Sequence, residues 1–147
     1  VLVVEDTPDI RELLDEILSS EGYDVSVAED GTEAMNMLRT SEFELVLLDL
    51  MMPGVTGLEV LALLQTFEHA PPVVAMSAFE RFRQEATNLG AKTFLYKPID
   101  VDRLLHEIAQ VVALGATSAK TSQTSAVREA EPRLRSPERA SPDATRN

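Results

Sequence analysis

Four apolar residues, Leu45 to Leu48, run straight into Asp49, and a Pro53-Gly54 turn follows within five residues. A carboxylate at the end of a buried strand is costly unless a cation meets it. The chain repeats the device. Val1 to Val4 lead into Glu5-Asp6, the run from Pro72 to Met76 into Ser77, and Thr93 to Tyr96 into Lys97. If these runs are neighbouring strands, three acids, a hydroxyl and an ammonium converge on one edge. Oxygen-only ligands at that density suit a hard divalent ion, Mg2+ or Mn2+. An acid–base pair for sugar chemistry does not fit, because the metal and the lysine would both hold the acids ionised. Phosphoryl transfer does: metal and lysine neutralise phosphoryl oxygens, the hydroxyl donates to one, and a carboxylate is the nucleophile.

The elements that must position these groups alternate strand and helix. Residues 1–4 (β1) and 45–48 (β3) are continuous apolar runs, as expected for strands covered on both faces. Thr7 and Pro8 start a helix (α1) with a capping hydroxyl and a proline at the first helical position. Ile10, Leu13, Leu14, Ile17 and Leu18 line one face of it, and Gly22 stops it. Residues 24–28 (β2) alternate like a more exposed strand. Helices are expected at 32–39 (α2), 58–64 (α3), 80–89 (α4) and 101–112 (α5), and strands at 72–77 (β4) and 93–96 (β5). Five βα units imply a parallel sheet with helices on both faces and right-handed crossovers. Ligands of such sheets sit beyond the carboxyl ends of the strands, where the acids, Ser77 and Lys97 fall.

The 147 residues carry a net charge of −12 and no cysteine. The charge disfavours non-specific DNA binding, which needs Lys and Arg, so no direct nucleic-acid partner is expected. Without cysteine there is no disulfide framework and no thiolate metal site. His69 and His106 are the only imidazoles, which argues against zinc. No apolar run approaches a membrane span, and no signal peptide shows. Residues 1–114 hold 21 acids against 7 bases, net −14, whereas 115–147 hold 4 acids and 6 bases, net +2. The domain is therefore expected to end at 114. Residues 115–147 read as a disordered or weakly helical tail, with at most a short helix at 125–131, and Ser136-Pro137 and Ser141-Pro142 read as plain linker. The chain opens on Val1, already inside an apolar run, so a piece of a longer protein is expected.

Glu5-Asp6, the D-x-x-M-P-x-x-x-G run from Asp49 to Gly57, Met76-Ser77-Ala78 and Lys97-Pro98 together resemble a response-regulator receiver domain, the CheY-like family. The resemblance covers residues 1 to about 114. It implies a flavodoxin-like doubly wound α/β fold with a five-stranded parallel sheet in the order 2-1-3-4-5. It implies that Asp49 accepts a phosphoryl group from a sensor histidine kinase or phosphotransfer protein. It further implies that Glu5, Asp6, Asp49 and the backbone carbonyl of Met51 hold Mg2+ or Mn2+, and that Ser77 and Lys97 contact the phosphoryl group. Phe94 stands at the switch-aromatic position, from which it would move inward. The peptide before Pro98 is a cis candidate. Signalling would pass through the α4-β5-α5 surface to a downstream protein partner, with a homodimer through the same surface as an option. The location would be cytoplasmic, and the protein no enzyme beyond slow metal-assisted self-dephosphorylation. Met51 and Phe79, at the positions that tune that lifetime, are both bulky and apolar.

Other classes fit less well. A phosphatase of the haloacid dehalogenase type wants D-x-D, and the residue two past Asp49 is Met51. A flavin module wants a Ser/Thr/Gly-rich phosphate loop after the first strand, where Glu5-Asp6-Thr7-Pro8 stands instead. A phosphate-independent scaffold on the same fold, or the C-terminal receiver of a hybrid histidine kinase, stay as alternatives to a stand-alone regulator.

Overall fold

The computed structural model describes the backbone of residues 1–128 and the side chains of residues 1–116. Five parallel strands pair in the order β2-β1-β3-β4-β5. They are β1 (Leu2–Val4), β2 (Ser26–Ala28), β3 (Val46–Asp49), β4 (Val73–Ser77) and β5 (Thr93–Tyr96). The helices are α1 (Pro8–Ser20), α2 (Gly31–Thr40), α3 (Gly57–Leu64), α4 (Arg83–Asn88) and α5 (Val101–Arg128).

The unbroken apolar runs of the central strands follow from burial on both faces. Leu2, Val4, Val46, Leu48, Val73 and Ala75 point to one side and pack with Ala34 and Leu38 of α2, Val60, Leu61 and Leu64 of α3, and Phe94. Val3, Leu47, Val74, Met76 and Leu95 alternate to the other side, where Leu14 and Leu18 of α1 and Leu104 and Ile108 of α5 cover them. Side chains alternate along a strand, so every residue of these strands finds a core.

The structure departs from the sequence reading in four places. Leu13 is 53 % exposed, so the buried stripe of α1 is narrower than its spacing suggested. Thr7 occupies the N-cap position of α1, but its hydroxyl makes no capping bond. The expected helix at 80–89 is a 3-10 turn (Glu80–Phe82) followed by the short α4. Finally, α5 does not stop near residue 112 but runs on to Arg128, so the expected boundary at 114 falls inside a helix. The segment past it lacks the large apolar residues to build a core, but its Ala, Lys, Gln and Arg are good helix formers that extend a helix already nucleated on the sheet. The remainder of the expected tail, including Ser136-Pro137 and Ser141-Pro142, lies outside the described residues.

Candidate functional site

Every strand end that sequence reading singled out falls on the same rim. Glu5 follows β1, Asp49 closes β3, Ser77 closes β4 and Lys97 follows β5. Because β1 lies between β2 and β3, the ends of β1 and β3 are neighbours, and the acids of both reach one spot. Glu5, Asp6 and Asp49 each offer a carboxylate oxygen, and the three oxygens lie within 4.8 Å of one another.

Lys97 bridges two of the acids. Its Nζ donates to Glu5 Oε2 at 2.9 Å and stands 3.3 Å from Asp49 Oδ2. The remaining oxygens are held by backbone amides: Thr7 N–H donates to Glu5 Oε1 at 3.3 Å, and Met51 N–H to Asp49 Oδ1 at 3.1 Å. Glu5 and Ser77 are fully buried and Asp49 is 2 % exposed, whereas Asp6 is half-buried. Among the described residues, every buried side-chain nitrogen or oxygen has a hydrogen-bond partner.

Burial, and next the charge of Glu5, push the Asp49 carboxyl up to about 7, against the pull of Lys97 and the Met51 amide. Burial acts to lower the Lys97 ammonium, but the hydrogen bond to Glu5 and the charge of Asp49 outweigh it and hold the group above its usual value. With all three acids ionised, one lysine leaves two negative charges unmatched, the charge of a single divalent cation. The donor set, three carboxylates in reach of one point, fits a hard ion such as Mg2+.

The other residues are placed around this centre. Register pairs Asp49 with Met76, so Ser77 stands one residue beyond it, and its Oγ accepts the Phe79 N–H at 3.1 Å. Met51 and Phe79 are 43 % and 45 % exposed. The Lys97–Pro98 peptide is cis. The start of α3 presses against the end of β3: a Cβ on Gly57 would lie 2.3 Å from the Asp49 carbonyl oxygen and 2.6 Å from Leu50 Cα, so only glycine fits there. Phe94, at the expected switch-aromatic position, lies in the core. It is packed inward, 5 % exposed, with the Arg83 guanidinium 4.9 Å from its ring centre and paired in turn to Glu80. Arg11 was not singled out by sequence reading, yet its guanidinium meets the backbone of the acidic turn. A base four residues into a helix, where the dipole disfavours cations, was the available signal.

Fold and rim together define the class: a doubly wound α/β domain with an acid pocket, closed by a lysine, at the carboxyl edge of its sheet. Comparison with known proteins gives the family. Residues 1–109 match the model of the response regulator receiver domain, and the chain belongs to that family of two-component signalling domains. It is 34 % identical over 122 residues to YkoG of Bacillus subtilis, an uncharacterized transcriptional regulatory protein, covering 82 % of this chain and 54 % of that one. It is 33 % identical over 116 residues to sporulation initiation phosphotransferase F of the same species, covering 78 % of this chain and 94 % of that one. The chain thus spans about half the length of the first relative and nearly all of the second. Among solved structures, the response regulator TrrA of Thermotoga maritima, in complex with Mg2+-BeF, is 34 % identical with a TM-score of 0.70, covering 75 % of this chain and 96 % of that one. The chemotaxis protein CheY4 of Vibrio cholerae is 28 % identical with a TM-score of 0.67, covering 75 % and 95 %. No helix among the described residues is long and apolar enough to cross a membrane.

Proposed function

We propose that this receiver domain takes a phosphoryl group on Asp49 from a phosphohistidine of a sensor histidine kinase or phosphotransfer protein. The observation that carries this reading is the convergence of three carboxylates within 4.8 Å with Lys97 against two of them. Glu5, Asp6 and Asp49, with the Met51 carbonyl, would hold Mg2+. When bound, the ion supplies positive charge against the acids and the phosphoryl oxygens. A carboxylate oxygen of Asp49 attacks phosphorus in line. The P–N bond breaks, and its electron pair stays on the imidazole nitrogen of the donor. Lys97 keeps its proton and moves from carboxylate to phosphoryl oxygen, and Ser77 turns its hydroxyl proton toward a second oxygen.

The group added carries about −1.5 to −2 charge and strong acceptor oxygens. Drawing Ser77 toward it pulls on the Phe79 amide bound to its hydroxyl, and so on the turn that carries Arg83 over Phe94. The readout is a change in the α4-β5-α5 surface, offered to a downstream protein partner or to a second copy of the chain. As a stand-alone regulator or as the receiver of a hybrid kinase, the domain would do the same chemistry.

The test incubates the protein with Mg2+ and a small acyl-phosphate donor and reads intact mass. Wild type gains one phosphoryl group and Asp49→Asn gains none. A wild type that stays unmodified leaves the phosphate-independent scaffold as the reading. The lifetime of the product follows from the rim. Neither Met51 nor Phe79 can orient an attacking water, so the phosphoryl group is lost slowly. Installing polar groups in a Met51→Asn, Phe79→Glu variant should speed loss by at least about tenfold, short of the roughly hundredfold or more that a well-positioned proton acceptor contributes. Equal decay in both proteins refutes the slow reset.

A further inference from the structure

We propose that Arg11 is a positioning residue for the dication pocket, aiming Glu5 and Asp6 by clamping the backbone between them. This rests on the receiver reading above. Arg11 sits one turn into α1, its own N–H bonded to Thr7 O at 2.9 Å. Its Nη1 donates to the carbonyl oxygen of Glu5 at 2.9 Å and reaches that of Asp6 at 3.5 Å. The pairing of β1 with its neighbours ends at Val4, and Glu5 N–H makes the last strand-like bond, to Ala28 O at 3.2 Å. Beyond that point the sheet no longer dictates how the chain turns, yet the next two side chains must reach Asp49. The guanidinium takes over where the ladder stops.

Arg11 does not act as a counter-ion. Among the described residues no carboxylate lies within ion-pair distance of it. A half-buried cation near a helix N-terminus works against the helix dipole. Both contacts come from one nitrogen, Nη1, whose two donors sit on a rigid planar head, so one group reaches two successive carbonyls. Groups that orient ligands from behind change metal affinity by about ten- to a hundredfold when removed.

Charge and clamp make opposite predictions, which makes the proposal testable. By Coulomb's law alone, removing a cation beside the pocket tightens binding of a dication. Removing the clamp weakens it. Titration of the unphosphorylated full chain with MgCl2, followed by calorimetry below the unfolding temperature, should show Arg11→Ala binding Mg2+ about tenfold more weakly than wild type. Arg11→Lys, which keeps the charge and a donor, should recover part of the loss. Unchanged or tighter binding by Arg11→Ala overturns the proposal, and so does a lysine variant that recovers nothing. A wild type that fails to bind Mg2+ overturns the receiver reading and this proposal together. If Arg11→Ala does not fold, the lysine variant decides: it should bind more weakly than wild type but measurably, and binding equal to wild type refutes the need for the guanidinium.

Discussion

Lys97→Met should destabilise the metal-free protein by about 3–5 kcal/mol at neutral pH, the cost of stranding buried charges by removing their partner. Glu5 and Asp49 are buried, and Lys97 is the cation in ion-pair contact with both. Methionine replaces the stem of the lysine at similar volume, so the loss reports the ammonium rather than a cavity. The two acids can then relieve their repulsion only by protonation, so the deficit shrinks as pH falls through the carboxylate range. Mg2+ should restore much of the stability by supplying the missing charge. Urea denaturation in EDTA and in excess Mg2+, across pH, measures both trends. A deficit independent of Mg2+ and of pH would mean that Lys97 acts through packing alone.

Asp49→Asn should move stability the other way. In the folded chain the Asp49 carboxyl is pushed up from 3.8 to about 7 by burial and by Glu5. A carboxyl raised on folding contributes stability that is complete below its unfolded value. That contribution is lost as pH rises toward and through its folded value, because the native state must hold a proton the unfolded chain has released. Metal-free wild type should therefore weaken between about pH 4 and pH 8, while Asp49→Asn should not share this loss, ending more stable by on the order of 2–4 kcal/mol above pH 7. Saturating Mg2+ should narrow the gap, since the ion binds the wild-type acids. Identical pH profiles of the two proteins in EDTA would show that the Asp49 carboxyl is not under this strain.

The strand ends were legible because burial on both faces leaves an unmistakable record. An apolar run such as Leu45–Leu48 that stops at an acid marks a doubly covered strand reaching a polar rim, and the acids and Lys97 do meet as their spacing implied. What stayed hidden depends on contacts across the fold. Thr7 is followed by proline, a sound helix start, but its hydroxyl makes no cap, and the turn is instead held by the Glu5 carboxylate and Arg11. The Arg83 guanidinium over the Phe94 ring comes from another element, which alternation along β5 does not reveal. How far α5 runs past residue 114 was not readable, because the composition of that segment speaks to whether it can build a core and not to how far it prolongs a helix. Capping-box chemistry at Thr56 and Glu59, present as T-x-x-E, was readable and sets the start of α3 against Asp49.

Lys97 and Glu5 are bonded across 92 residues of chain, with β3 and β4 lying between their strands. During synthesis the acids therefore emerge long before the amine that quiets them. A nascent chain that has made β1 through β4 carries the acids without their lysine, and the fifth strand brings the first fixed positive charge against them. Closure of the acid pocket by its lysine and completion of the sheet are thus one event, and a chain cut short before residue 97 leaves Glu5 and Asp49 without that partner.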